Sequence, residues 1–315
     1  MTAEVWGMTL AGFAALVAGL ILVRERFRAA SGAGKIVVLG AVFEGVALAM
    51  FAAEHFLDAR DLATIVPHWL PGSLFWTLLV GVAWVAAAVS FIAWWQVRWS
   101  AALTAVLLLT IVITIDLPNL PKEAHDRFFW ILLVRETSFA GGAMVLAGSL
   151  WRDPVGAALM RVGRTYVGLV AIFYGIEHFL FPHNVPGVPL QKMTPAWFPA
   201  PMLLAYAVGI VLVAAGIGLL IPRTARLAAA TAGTVLVVLT ALFYVPIAVM
   251  EFRTKLAVEG LNYVGDTLLY AATILLAGME RQGTGYSEQR TESRDGRKSG
   301  LKEMASAAGG SSSRR

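Results

Sequence analysis

The chain has 315 residues, 58% hydrophobic and only 14% charged, against roughly 25% charged residues in an ordinary soluble domain. A water-soluble fold cannot cover that much apolar surface, so an all-α integral membrane protein in contact with the lipid bilayer is expected. The absence of cysteine excludes disulfides, thiolate metal sites, iron–sulfur clusters and thiol redox relays. The net charge of +5 is no nucleic-acid signal, because the segment from Arg281 onward holds eight Lys/Arg against four Asp/Glu and the rest is nearly neutral.

A membrane-crossing helix needs about 20 mostly apolar residues. Segments near 4–23, 37–57, 74–95, 100–117, 128–150, 163–181, 201–221, 227–250 and 262–279 meet that requirement, about nine spans. The first has no Lys or Arg before it and Arg24, Arg26 and Arg28 just after it. That pattern reads as a retained anchor with its N-terminus outside rather than as a cleaved signal. Threading nine helices from that start places 18 Lys/Arg on one side and six on the other, with Arg135 inside a span. The positive excess marks the cytoplasmic side, which puts the C-terminus inside a cell (inner) membrane. The Gly/Ser-rich tail, 281–315, is too polar to bury a core and is expected to be disordered.

The spans repeat. Ala53-Glu54-His55-Phe56 matches Ile176-Glu177-His178-Phe179 at an offset of 123. Pro67-His68-Trp69-Leu70-Pro71 matches Pro195-Ala196-Trp197-Phe198-Pro199 at 128, so the second copy carries five extra loop residues. The offset of 128 holds through Gly81 and Gly209, Arg98 and Arg226, and Pro118 and Pro246, then becomes 130 at Glu136-Thr137 and Asp266-Thr267. Matches in this order, with gaps only in loops, indicate duplication. Four spans per copy make the repeats parallel, related by a pseudo-twofold axis along the membrane normal. The expected organisation is an N-terminal helix and loop (1–35), a first four-helix bundle (36–152), a second (153–280) and the tail (281–315).

A helix ending in Glu-His-Phe, a Pro-x-Trp-x-Pro loop, a glycine-bearing helix and a basic turn such as Ile221-Pro222-Arg223-Thr224-Ala225-Arg226 resemble the DoxX-like family of four-helix membrane proteins. The second copy, about 160–279, is the better match; in the first, Trp94-Trp95-Gln96 replaces Leu220-Ile221-Pro222. The resemblance implies the four-helix fold. For some members it implies quinone-dependent oxidation of small sulfur compounds, so a quinone is the cofactor it suggests; other members have no settled activity.

Ionisable groups inside a span cost a few kcal/mol each and are functional candidates. Here they are Glu44, Glu54, His55, Arg135, Glu136, Glu177, His178 and Asp266, with Asp116 and Glu251 at span ends, where water would reach them. Each copy sets a Glu, a His and a second carboxylate in the outer half of the membrane, on its first and fourth helices, which can be neighbours in a closed bundle. A His beside a carboxylate can serve as an oriented base or a metal ligand. It can equally bond the loop backbone while the Glu pairs with an Arg or an indole. In the second copy Tyr174 shares a helix face with Glu177 and His178, and Tyr263 and Tyr270 flank Asp266. Those tyrosines could bind a quinone head group or belong to the interfacial aromatic belt. The candidate catalytic residues are therefore Glu177, His178, Asp266 and Tyr174. Candidate ligand-binding residues are Glu54, His55, Glu136, Glu177, His178 and Asp266, with Trp69 and Trp197 on loops that could act as caps or lids. Arg135 is expected to be compensated by Glu136 within the first copy, and Glu44 to make an interhelical hydrogen bond.

Two functions follow. One is a quinone-linked membrane oxidoreductase component that binds a small lipophilic molecule in an outer-leaflet pocket. The other is a non-enzymatic membrane protein, either a small-molecule permease or an assembly partner of a membrane enzyme or of another copy of itself. No phosphate-binding glycine loop, nucleophile elbow or His-Glu-x-x-His motif occurs, and no metal site is expected.

Overall fold

A computed structural model describes residues 2–281; the expectation for the tail falls, from residue 282 on, outside the described residues. Long helices account for almost all of the regular structure: α1 (Ala3–Leu22), α2 (Gly34–Leu57), α3 (Ser73–Ala93), α4 (Val97–Glu123), α5 (Arg127–Leu150), α6 (Pro154–Leu180), α7 (Pro201–Leu220), α8 (Ala225–Glu251) and α9 (Ala257–Ala277). The first eight are long and apolar enough to cross a membrane, which makes the chain a multi-pass membrane protein. Helix α9 is as long as α3, but it carries Glu259, Asn262 and Asp266, and every residue from Thr267 to Ala277 is buried. Other helices surround it, so its composition need not satisfy lipid.

Local chemistry sets the element ends. Asp126 accepts a hydrogen bond from the Phe128 amide at 2.8 Å and starts α5; Asp153 does the same for Gly156 and starts α6, with Pro154 in the first turn. Helices α4 and α8 each contain one π-helical turn, Val112–Asp116 and Thr240–Tyr244, just ahead of Pro118 and Pro246. A proline lacks its N–H and crowds the carbonyl four residues back; the wider π turn gives the ring room without breaking the helix. The two turns lie 128 residues apart, the offset already seen in the loops.

Packing departs from expectation in one respect. The first and fourth helices of each unit expected from the sequence repeat do not form its main contact. Instead α5 lies along α6, and α9 lies along α2, so the fourth helix of each unit packs on the first helix of the other. Only Trp151–Asp153 joins α5 to α6, which forces them to be antiparallel neighbours. Glycines bring those backbones close: a Cβ built on Gly163 would sit 2.3 Å from the Gly141 carbonyl oxygen, and one on Gly156 would sit 2.9 Å from that of Gly148. Helix α1 rests on α2, where Gly12 and Gly19 receive Met50 and Val42.

The five extra residues of the second copy fall in the connection between α6 and α7. The chain turns inward there as a hairpin, with an isolated bridge between Asn184 and Met193. Val185, Val188 and Leu190 are buried, and Gly187 takes φ +103° beside Leu239 and Thr267. The left-handed backbone at that point is open to glycine at little cost.

Candidate functional site

Glu259, Asn262, Tyr263 and Asp266 follow the i, i+3, i+4, i+7 spacing of a single helix face on α9. That face looks across at the last turn of α2 and the first turns of α5. Between them opens a cleft of about 660 Å³, lined by Glu54, Asp58, Phe128, Leu132 and Arg135 opposite the α9 residues, with Leu190–Lys192 of the hairpin as its remaining wall. The cleft lies between the helices expected to form the two units rather than inside either set.

At its inner end the Arg135 guanidinium meets the Asp266 carboxylate at 2.5 Å and Glu136 at 3.6 Å. The expected Arg135–Glu136 compensation is thus the weaker half of a pair made mainly across the two units. Glu54 accepts a hydrogen bond from the Asn262 side-chain amide at 2.6 Å. Lys192, from the hairpin, reaches Glu251 at 2.7 Å and Glu259 at 3.4 Å. At the rim, partial burial, followed by the nearby Asp61 and Glu4, holds the Asp58 carboxyl above the usual carboxylate range. Asp116 and Glu251 are not simply hydrated. Each has one carboxylate oxygen buried without a hydrogen-bond partner, and Asp116 approaches Glu136.

The Glu-His pairs divide their work. Adjacent helix positions point about 100° apart, so each Glu looks toward the other unit while each His leans on the next helix of its own. His55 packs on Gly81 and His178 on Gly209, where an added Cβ would come within 2.9 and 3.0 Å of the respective histidine Cβ. Glu177 pairs with Arg127 at 2.6 Å, and Arg127 also donates to the Pro189 carbonyl at 2.8 Å. His178 Nδ1 donates to the Tyr174 carbonyl at 2.5 Å, and Nε2 accepts the Gly187 amide at 2.8 Å. Both ring nitrogens are therefore engaged, and the imidazole holds the hairpin. Tyr174 donates to the Ile131 carbonyl at 2.8 Å. Of the residues expected to be catalytic or ligand-binding, Glu54 and Asp266 line the cleft, together with Arg135 and Tyr263 from the wider set of candidates, and Glu136 adjoins it through Arg135. Glu177, His178, His55 and Tyr174 lie away from it, and Trp69 and Trp197 are exposed on their loops. Glu44 is buried and shows no hydrogen bond among the described residues, contrary to the interhelical bond expected of it.

His178→Ala should therefore act on the hairpin. It leaves the buried Gly187 amide without an acceptor, at a cost of about 1–3 kcal/mol. Amide exchange measured by mass spectrometry should quicken across the hairpin; unchanged exchange there would mean that the imidazole does not hold it.

Asn262, Lys192 and Arg127 were not legible as site residues. Asn262 sits one turn before Asp266 on the same face, a signal the sequence does contain. The Lys192 and Arg127 pairings depend on the folded hairpin. Among the described residues no three His, Asp or Glu side chains converge as a metal site. A family model described as Domain of unknown function (DUF8561) matches residues 44–128, from α2 to the start of α5 and well under half of the chain. No curated protein and no solved structure matches the chain.

Proposed function

We propose that the chain is a DoxX-like polytopic protein of a cell (inner) membrane, with nine crossing helices of which α9 is the last. Two parallel four-helix units, related by a pseudo-twofold axis along the membrane normal, enclose one cleft that opens to the outer side and binds a small amphiphilic molecule. The N-terminus is outside and the C-terminus cytoplasmic, a reading supported by the 18-to-six Lys/Arg asymmetry. The class is a non-enzymatic membrane protein of the permease type. The observation that carries this reading is the Arg135–Asp266 pair at the inner end of a 660 Å³ opening. Charges at membrane depth cost a few kcal/mol and characteristically mark ligand or ion pathways. The matched π turns support the duplication. The exposed apolar faces of the helices are left to lipid, to another copy or to a membrane enzyme.

A quinone-linked redox component is the second reading. Tyr263 and Asn262 on the cleft wall could address a quinone carbonyl, whereas His178 and Tyr174 are engaged elsewhere.

The absence of cysteine makes the test direct. Leu132→Cys places a thiol on the cleft wall. A membrane-impermeant thiol reagent added outside intact cells should modify it, and Asn262→Trp in the same chain should slow that modification by about tenfold or more, the bulk of the indole filling a wall of the cleft. Ala171→Cys, fully buried, should not react. Modification only after permeabilisation would reverse the orientation, and no modification at all would remove the cleft. Protection by decylubiquinone would favour the redox reading over the permease reading.

A further inference from the structure

The polar groups of the cleft are unbalanced in one direction. Four carboxyls line it, those of Glu54, Asp58, Glu259 and Asp266, against two cations, Arg135 and Lys192. Each cation already answers to two carboxylates: Arg135 to Asp266 and Glu136, and Lys192 to Glu251 and Glu259. Glu54, only 6% exposed, has an amide for its partner and no cation among the described residues.

Among the residues that line the cleft, two buried polar atoms lack a partner, the acceptor Asn262 Oδ1 and the donor Arg135 Nε. The Asn262 amide is oriented by the bond its nitrogen donates to Glu54, and its carbonyl oxygen is left with nothing to accept. Buried acceptors call for donors, and a carboxylate withdrawn from water calls for a positive charge. An anion entering the cleft would meet four carboxylates. A neutral alcohol could answer the hydrogen bonds but not the charge. Phe128, Leu132, Leu190 and Val258 add an apolar wall beside these groups, the surface a hydrocarbon chain would cover.

We propose that the cleft takes an amphiphile carrying a protonated amine, its ammonium received between Glu54 and the Asn262 carbonyl and its apolar part laid against Phe128, Leu132 and Val258. The proposal rests on reading the cleft as a binding site. The same ammonium chemistry could arrive as a free alkylamine or as the head group of an ethanolamine lipid.

The test uses the full chain with Leu132→Cys in phosphatidylcholine nanodiscs. A cationic thiol reagent should modify the cysteine about tenfold faster than an anionic one of the same size, as expected beside uncompensated carboxylates. Decylamine should then protect the cysteine saturably, whereas decanol and decanoate at the same concentration should not. Decyltrimethylammonium, which has the charge but no N–H donor, should protect more weakly. Glu54→Gln should weaken the protection by decylamine about tenfold, a loss of roughly 1.4 kcal/mol of binding. If that variant does not fold, Asp58→Asn at the rim should still narrow the difference between the cationic and anionic reagents. Protection in discs half composed of phosphatidylethanolamine, with no amine added, would identify the lipid head group as the source; its absence, with decylamine protecting, would identify a free amine. Equal protection by decanoate or decanol would overturn the amine assignment while leaving the binding cleft intact. A cysteine that no reagent modifies would overturn both.

Discussion

Arg135→Leu should lower stability by about 3–5 kcal/mol, the cost of stranding a partly buried carboxylate without its cation. The guanidinium is the positive charge in contact with both Asp266, at 2.5 Å, and Glu136, at 3.6 Å. Those carboxylates come from α9 and α5, the fourth helices of the two units, so the substitution also removes the one charge contact between these helices in the described structure. The expected readout is a marked fall in the denaturation midpoint in detergent micelles. Asp266→Asn in the Arg135→Leu background should recover much of the loss, because it removes the stranded charge, whereas Asp266→Asn alone should cost less than Arg135→Leu, since Glu136 still faces the guanidinium. A double variant no more stable than Arg135→Leu alone would show that the arginine acts through packing rather than through charge.

Gly163→Ala should be the costliest single-methyl addition, about 1–3 kcal/mol. The new Cβ would lie 2.3 Å from the Gly141 carbonyl oxygen, 3.0 Å from Val145 Cγ2 and 3.1 Å from Met144 Cβ. The nearest obstacle is backbone, which cannot rotate away, so α5 and α6 must separate. Gly7→Ala is the informative control. Its Cβ would come even nearer to an atom, 2.1 Å from Leu57 Cδ1, but that atom ends a flexible side chain. It should therefore cost far less, roughly within 0.5 kcal/mol. Thermal midpoints of the two variants in the same detergent decide it. Equal losses would mean that the α5–α6 contact is looser than the glycine pair implies.

The two variants also bear on the cleft. Separation of α5 from α6 would disturb Arg127, which ties α5 to Glu177 and to the hairpin carbonyl of Pro189. Gly163→Ala should thus alter the hairpin as well as the helix pair, whereas Gly7→Ala, whose Cβ meets Leu57 and Ala53 of α2, should leave the hairpin alone.

Sequence by itself determined a great deal of the architecture. Composition required a bilayer, and hydropathy located eight helices long and apolar enough to cross it, most ends to within a few residues; the exceptions are α6, which starts nine residues before the expected span, and α4, which ends six residues after it. Those are properties of each segment separately: apolar length, capping Asp126 and Asp153, and prolines at 118 and 246 that call for a π turn. The offsets of 123, 128 and 130 also isolated the five inserted residues, although not what they become. What the sequence could not supply was which unit each charged side chain would face. Glu54 and Asp266 were legible as candidates because ionisable groups are rare inside spans. Their partners were not, because pairing follows from which helices are neighbours.

Tertiary structure decided those partnerships. A three-residue connection and facing glycines press α5 onto α6 and so set the fourth helix of one unit against the first helix of the other. Arg135 then finds Asp266, 131 residues away, and Asn262 finds Glu54, 208 residues away. The inserted hairpin turns inward because Val185, Val188 and Leu190 can be buried and because His178, Tyr244 and Arg127 satisfy its backbone. His178, which looked like chemistry, became an anchor, and of the carboxylates set in the outer half of the membrane Glu54 and Asp266 became walls of one cleft. Spacing along a helix fixes which residues share a face; only the packing of nine helices fixes what that face meets.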